Sequence, residues 1–146
     1  MPHSIVNLLE ARPEKNCVDA SVANGVFSEA ELTRNGVLED HNIILTTNKE
    51  CAFRCVMCDL WKNTLDSKVE AGVIIKQVRD ALDILPKAKH LKLYNAGSFF
   101  DRQSIPKQDT FEIADLIDGV IKNIDDENIK RVIPIRKYFF IIFYIN

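Results

Sequence analysis

The sequence predicts an α/β fold in which about three strand–helix units, preceded by a β-hairpin, form a parallel sheet. Apolar runs that suit buried strands alternate along the chain with segments whose apolar residues recur at helical spacing. This alternation is typical of parallel sheets with right-handed crossovers. With 146 residues, the chain is about one domain long and can bury one sizeable core.

The hairpin follows an N-terminal arm of residues 1–24. Asn35-Gly36 separates two extended runs, Val26–Thr33 and Val37–Thr47. Asn-Gly is a strong hairpin signal because both residues tolerate positive φ. The second run contains Ile43-Ile44-Leu45, a continuous apolar stretch that indicates a strand buried on both faces. We therefore expect this second run to be the first strand of the parallel sheet.

Two helices and two further strands are expected after the hairpin. Each helical segment carries one apolar stripe. Pro86 ends the first helix. Asp109, with Glu112 three residues on as a capping-box variant, is the expected N-cap of the second. The predicted elements are a helix at Val69–Leu85, a strand at His90–Asn95, a helix from Asp109 to Ile124 and a strand at Ile129–Ile135.

The last segment, residues 136–146, is apolar and has no charge after Lys137. It is shorter than the roughly 18–20 residues that span a bilayer. Two interpretations remain: a buried final strand, or sequence that does not belong to the fold. The predicted division is an arm at 1–24, a main domain at 25–135 and this tail at 136–146.

Bulk properties narrow the functional classes. The chain is 47% hydrophobic and 27% charged, with a formal net charge of -2, so it has no overall basic footprint for nucleic acid. The opening Met1-Pro2-His3-Ser4 lacks the basic and apolar regions of a secretory signal. We therefore expect a cytoplasmic protein without a membrane partner.

Three of the four cysteines form a C-x3-C-x2-C motif directly after the first predicted strand: Cys51, Cys55 and Cys58. Such tight clustering suits metal or cluster ligation in a reducing compartment. Three thiolates can hold three irons of a [4Fe–4S] cube and leave the fourth iron open. An open coordination site is where substrate binds. The alternative is a zinc site that adds Cys17 or a histidine.

A second loop carries the other candidate residues. Asn95, Ala96, Gly97 and Ser98 follow the second predicted strand. In parallel sheets, ligands bind in the loops after the carboxyl ends of the strands. We therefore expect this segment and the cysteine motif to lie on the same rim of the sheet.

These motifs resemble those of radical S-adenosyl-L-methionine (radical SAM) enzymes. The similar stretches run from Glu50 to Thr64 and from Lys92 to Asp101, within a resemblance that covers about residues 36–132. They are similar to bacterial radical SAM proteins near the elongator-type and archaeosine-forming tRNA-modifying branches. The resemblance implies a partial, TIM-like (β/α)6 barrel, of which this chain supplies about three units. We therefore expect an N-terminal fragment of such a domain.

The resemblance also implies cofactors and site residues. The three motif cysteines are the expected ligands of a [4Fe–4S] cluster. Residues Asn95, Ala96, Gly97 and Ser98 occupy the segment that contacts the methionine amine of S-adenosyl-L-methionine (SAM), with Ser98 in place of the usual glutamate. Met57 stands where an aromatic residue usually lies near adenine, and its thioether can pack there.

The implied reaction is reductive cleavage of SAM to a 5′-deoxyadenosyl radical, which abstracts hydrogen from an unknown substrate. An electron donor such as flavodoxin or ferredoxin is the implied partner, and RNA is the substrate class suggested by family analogy alone. The alternatives are an iron–sulfur or zinc module without SAM chemistry, and an inactive truncated product.

Overall fold

A five-stranded mixed sheet with two helices forms the described part of the chain. The computed structural model describes residues 12–55, 57–122, 131–134 and 140–144. The strands lie in the order β1-β2-β3-β5-β4 across the sheet. The strands are β1 Gly25–Leu32, β2 Leu38–Leu45, β3 His90–Tyr94, β4 Arg131–Pro134 and β5 Phe140–Tyr144, and the helices are α1 Val73–Ile84 and α2 Lys107–Lys122.

The predicted hairpin is present. Strands β1 and β2 pair antiparallel from Gly25 opposite Leu45 to Leu32 opposite Leu38. Gly36 in the connecting turn has φ 75, a left-handed conformation that costs glycine little. The amide of Thr33 donates to the carbonyl of Val37 at 2.8 Å and closes the turn.

The prediction of a partial TIM-like barrel with three parallel β/α units is wrong. Only β2 and β3 run parallel in the described sheet. The third predicted strand is present as β4, but it lies at the far edge, antiparallel to β5. Strand β5 takes the place beside β3 and runs antiparallel to it. The sequence of β5, Phe-Ile-Ile-Phe-Tyr, has the high β-propensity needed to compete for that position.

The hydrophobic core lies between one face of the sheet and the two helices. Helix α1 begins at Val73, four residues later than expected, and Val69 is buried in the segment before it. Burial of these apolar side chains is the main favourable contribution to folding. The core cluster includes Ile44, Leu91 and Leu93 from the sheet, Ile74, Ile75, Val78 and Ala81 from α1, and Ile113 and Ile117 from α2.

Asp109 caps a different helix from the one the sequence predicts. Helix α2 begins at Lys107, so Asp109 lies within its first turn and is fully buried. Its carboxylate accepts hydrogen bonds from the backbone amides of Gly72 at 2.6 Å, Ile74 at 2.8 Å and Ile75 at 3.3 Å. These amides are the otherwise unpaired donors at the start of α1. One side chain of α2 therefore holds the beginning of α1.

The capping-box assignment of Glu112 is also wrong. Its carboxylate accepts a hydrogen bond from the side chain of Gln108 at 2.7 Å. It also forms an ion pair with Arg79 on α1 at 3.6 Å. Glu112 therefore adds a second, weaker polar contact between the two helices.

The sheet face opposite the helices carries paired polar groups. His41 and His90 are buried and stack with ring centroids 4.1 Å apart. Lys92 is buried on β3 and forms an ion pair with Glu31 of β1. The hydrogen bond from Lys92 lowers the pKa of Glu31 below its ordinary value of 4.5. The buried ammonium of Lys92 thus has a carboxylate partner from another strand.

Replacing Asp109 with alanine removes both acceptor oxygens and with them all three hydrogen bonds to the amides at the start of α1. We expect the free energy of unfolding to fall by about 3 kcal/mol, because buried donors are left without partners. Urea unfolding followed by circular dichroism measures this change. Asp115→Ala alters an exposed carboxylate on the same helix and should stay within about 0.5 kcal/mol of wild type. Equal losses in the two variants would contradict the capping role.

The ion pair between Glu31 and Lys92 predicts a pH dependence of stability. A carboxylate with a depressed folded-state pKa contributes stability above its unfolded-state value, and this contribution is lost as the pH falls through the folded-state value. We therefore expect wild type to lose this contribution in acid, below the ordinary value of 4.5. Urea unfolding at pH values from about 7 to about 3 measures the loss.

Two variants test the assignment of this pH dependence. Glu31→Gln cannot ionise, so its unfolding free energy should fall less steeply in acid than that of wild type. Glu70→Gln changes an exposed glutamate and should retain the wild-type slope. If Glu31→Gln and wild type respond alike to pH, the ion pair does not supply this dependence.

Candidate functional site

The loops after β2 and β3 meet at one edge of the sheet, as their parallel direction requires. Gly97 of the second loop packs close to Cys51 of the first. A Cβ placed on Gly97 would lie 3.7 Å from Cys51 Sγ and 3.0 Å from Ser104 Oγ. Gly97 also has φ 143, which disfavours other residues. Glycine here lets the second loop approach the first cysteine.

The side chain of Asn48 joins the two loops and was not identified from the sequence. It is fully buried just after β2. Its Oδ1 accepts a hydrogen bond from the amide of Ala96 at 3.0 Å, and its Nδ2 donates to the carbonyl of Lys49 at 3.0 Å. The polar run Thr46-Thr47-Asn48 after an apolar strand was the available sequence signal. This single amide holds the Ala96-Gly97 segment against the start of the cysteine loop.

The cysteine loop is closed at its base by Leu65. The amide of Leu65 donates to the carbonyl of Asn48 at 3.0 Å, and the amide of Glu50 donates to the carbonyl of Leu65 at 2.9 Å. Near the same end, Trp61 is buried, and the hydroxyl of Thr64 donates to its carbonyl at 2.7 Å. Residues 50–65 therefore form a loop with fixed ends.

Helix α1 fixes the strand end that leads into this loop. Gln77 is buried, and its Oε1 accepts a hydrogen bond from the amide of Thr47 at 2.8 Å. Its Nε2 donates to the carbonyls of Thr47 at 3.0 Å and Ala20 at 2.6 Å. The Gln77 side chain thus satisfies both backbone groups of Thr47, just after β2, and also attaches the N-terminal arm. An isolated glutamine in a helical stripe gave no sequence signal for this role.

The three motif cysteines are free thiols on this one loop. Cys51 and Cys58 are half-buried, and Cys55 is exposed. The amide of Cys58 donates to the carbonyl of Cys55 at 3.2 Å, forming a turn between two of the thiols. Within residues 12–55, 57–122, 131–134 and 140–144, no three His, Cys, Asp or Glu side chains converge on one point. Sharing a cluster therefore requires the loop to close around it.

Cys17 does not join the motif cysteines. Its thiol is exposed and free. It is not part of any convergent group of ligand side chains among the described residues. The proposed zinc site with Cys17 as its fourth ligand therefore has no counterpart in the described geometry.

Cations surround Glu50, the residue before Cys51. Its carboxylate pairs with Arg12 at 3.1 Å, Lys15 at 2.9 Å and Arg54 at 3.1 Å. Burial alone raises the pKa of Glu50, but the hydrogen bonds from Lys15 and Arg54 and their charges outweigh it, so the pKa lies below its ordinary value. Lys15 also pairs with Asp66 at 2.6 Å. The three cations around Glu50 exceed the two carboxylates, Glu50 and Asp66, by one positive charge. This surplus near the cysteine motif favours an anionic ligand.

Asn95 is the one candidate SAM contact whose side chain is buried and unpaired. The residue is 4% exposed, and neither Oδ1 nor Nδ2 has a hydrogen-bond partner among the described residues. Leaving such a group unpaired costs about 1–3 kcal/mol. An unpaired buried amide beside the cysteine loop thus indicates a position for a ligand that can both donate and accept.

Met57 and Ser98, the remaining predicted residues, are exposed, as are the nearby Phe53 and Asp59. Met57 is 95% exposed and Phe53 is 76% exposed, so the cysteine loop presents two large apolar side chains to solvent. Ser98 is exposed, and its hydroxyl accepts a hydrogen bond from the amide of Phe100 at 3.3 Å. Asp59 pairs with Lys62 at 3.0 Å. The exposed apolar pair is suited to covering a flat ligand.

Comparisons with protein-family models, with curated proteins and with solved structures find no match to this chain. Among the described residues, no helix has both the length and the apolar character needed to cross a membrane.

Asn48→Ala should uncouple the two loops. The variant leaves the Ala96 amide without its acceptor, so we expect the amide to exchange with solvent about tenfold faster or more and the free energy of unfolding to fall by about 2 kcal/mol. Hydrogen-exchange NMR and urea unfolding measure the two effects. Gln103→Ala removes an exposed amide from the same rim and should leave both unchanged. Unaltered exchange at Ala96 in Asn48→Ala would rule out the bridge.

Proposed function

We propose that this chain binds a [4Fe–4S] cluster and SAM as a radical SAM protein. The observation that carries the proposal is the close approach of two loops at one sheet edge. Cys51 lies against Gly97, and Asn48 joins the same two loops through Ala96. One loop holds three cysteines, and the other holds a glycine and a buried unpaired amide. The cofactor ligands and the SAM contacts expected from the sequence therefore come from adjoining segments.

The donor set suits the cluster. Cys51, Cys55 and Cys58 are free thiols with partial or full solvent access, so they are available for ligation. Thiolates are the usual ligands of iron–sulfur clusters, and three of them leave one iron open. The surplus positive charge around Glu50 favours an anionic cluster. A bound cluster of this kind supplies the electron that cleaves SAM to a 5′-deoxyadenosyl radical for hydrogen abstraction.

The second loop suits the amino-acid part of SAM. The Asn95 side chain offers an oxygen to an ammonium group and an NH₂ to a carboxylate. Gly97 presents backbone without a side chain. Met57 and Phe53 are exposed on the neighbouring loop and are available to cover adenine. In this proposal, Asn95 orients the methionine end, and the apolar pair excludes water from the purine.

One parallel strand pair is sufficient for this arrangement. β2 and β3 alone place both loops at the same edge, whatever the direction of β4 and β5. By analogy with radical SAM enzymes, the electron that reduces the cluster comes from a donor such as flavodoxin or ferredoxin. RNA is, by the same analogy, the substrate class to test first. Thiolate ligation is consistent with a reducing compartment such as the cytoplasm.

A second candidate is a cluster-binding or zinc-binding module without SAM chemistry. Ser98 favours it, because this residue stands where the related enzymes use glutamate for the amine of SAM. Its exposed hydroxyl already accepts a hydrogen bond from Phe100. The two candidates differ in whether SAM alters the bound metal.

Anaerobic reconstitution of the full chain with iron and sulfide tests both candidates. We expect a brown protein with about four irons per chain. Addition of SAM should shift the EPR signal of the reduced cluster, because SAM binds the open iron. Replacing Cys51, Cys55 or Cys58 with alanine should abolish the cluster, whereas Cys17→Ala should retain it, since Cys17 is not grouped with the motif.

Three outcomes would count against the proposal. One zinc per chain without visible absorption would exclude the cluster. An iron–sulfur cluster whose EPR signal ignores SAM would favour the module without SAM chemistry. Loss of the cluster in Cys17→Ala would show that the ligand set is different.

A further inference from the structure

Arg12 makes an unusually large number of contacts with the cysteine loop. Its Nη2 donates to the carbonyls of Arg54 and Cys55, both at 3.0 Å. Its Nη1 pairs with Glu50 at 3.1 Å, and its guanidinium carbon lies 4.8 Å from the centroid of the Trp61 ring. The side chain is only 11% exposed. One arginine of the N-terminal arm therefore contacts both ends and the middle of the loop.

These contacts hold the part of the loop with the least favourable backbone. Arg54, between the first two motif cysteines, has φ 45, the one positive value outside glycine among the described residues. A non-glycine residue in the left-handed region costs about 1 kcal/mol. Two carbonyls in succession, at Arg54 and Cys55, accept from the same guanidinium nitrogen. Arg12 thereby stabilises the conformation that sets the direction of Cys55 relative to Cys51.

Only arginine fits this set of contacts. A guanidinium is a planar fork with five N–H donors, so it can serve two carbonyls and a carboxylate while it stacks on an indole face. A lysine ammonium carries the same charge but lacks the planar fork.

We propose that Arg12 is a positioning residue of the cluster site, which holds the backbone at Arg54 and Cys55 in place while the motif thiols close around the cluster. The inference rests on the proposed function and extends it to a part of the chain 39 positions before Cys51, the first cysteine of the motif. Arg12 acts through the backbone of the ligand loop and does not itself bind iron. The described part of the N-terminal arm thereby belongs to the site.

Hydrogen exchange of the metal-free protein tests the ordering of the loop. In Arg12→Met, which keeps much of the apolar bulk, we expect the amides of Arg54 and Cys58 to exchange about tenfold faster than in wild type. Arg12→Lys should behave like Arg12→Met, because charge alone does not replace the fork. Amides of α1 should keep their wild-type rates. Arg34→Met changes an exposed arginine in the hairpin turn and should alter neither set.

Cluster loading gives the second readout. Arg12→Met should lose iron to a chelator about tenfold faster than wild type, and the EPR spectrum of its reduced cluster should be broader. The proposal would be overturned if Arg12→Met kept wild-type exchange rates in the loop and wild-type iron retention. Equally faster amide exchange in α1 and in the loop would also overturn it, because it would indicate general destabilisation. If wild type takes up no iron, the proposed function fails, and the exchange data still decide whether Arg12 orders the loop.

Discussion

The hydrogen bond from the Ala96 amide to the side chain of Asn48 is the contact on which the arrangement of the rim depends. Parallel pairing of β2 and β3 brings the carboxyl ends of both strands to the same edge of the sheet. It leaves the loops that follow them free to diverge. The buried Asn48 amide prevents this divergence, because separating the loops would leave both its oxygen and the Ala96 amide unpaired in the interior. The close approach of Gly97 to Cys51 follows from that constraint.

Other buried side chains transmit the same constraint into the helical layer. Gln77 of α1 satisfies both backbone groups of Thr47, so the helix and the strand end cannot move independently. Asp109 of α2 in turn holds the beginning of α1 through three backbone amides. Two polar side chains thus connect α2 to α1 and α1 to the rim, while the apolar core between them supplies most of the stabilisation. Burial alone, which has no direction, would permit the helices to slide.

Local patterns made part of this structure predictable. The Asn35-Gly36 turn and the helical stripes depend on neighbouring residues, and the cysteine spacing drew attention to the loop after β2. Strand direction was not predictable in this way. Distant segments of the chain compete for the place beside β3, and β5 occupies it. Asp109 illustrates a related difficulty, since a capping carboxylate can serve any helix whose amides reach it. The partners of three important side chains, Asn48, Gln77 and Arg12, lie 30 or more positions away in the sequence. Local sequence patterns cannot predict such contacts.

Two unfavourable features of the described structure, a buried unpaired side chain and a left-handed backbone, lie at this edge of the sheet. The Asn95 side chain is buried without a partner among the described residues, at about 1–3 kcal/mol. Arg54 holds a left-handed backbone on the facing loop, at about 1 kcal/mol. Packing elsewhere in the described structure offsets such costs, and a bound ligand can repay these two through new contacts. A ligand held by the thiols beside Arg54 could form hydrogen bonds with the Asn95 side chain and so remove the cost of its burial. The same ligand would bind the loop conformation that the left-handed backbone of Arg54 creates. Both costs lie next to the cysteine motif, and this coincidence makes this edge of the sheet a place to look for chemistry.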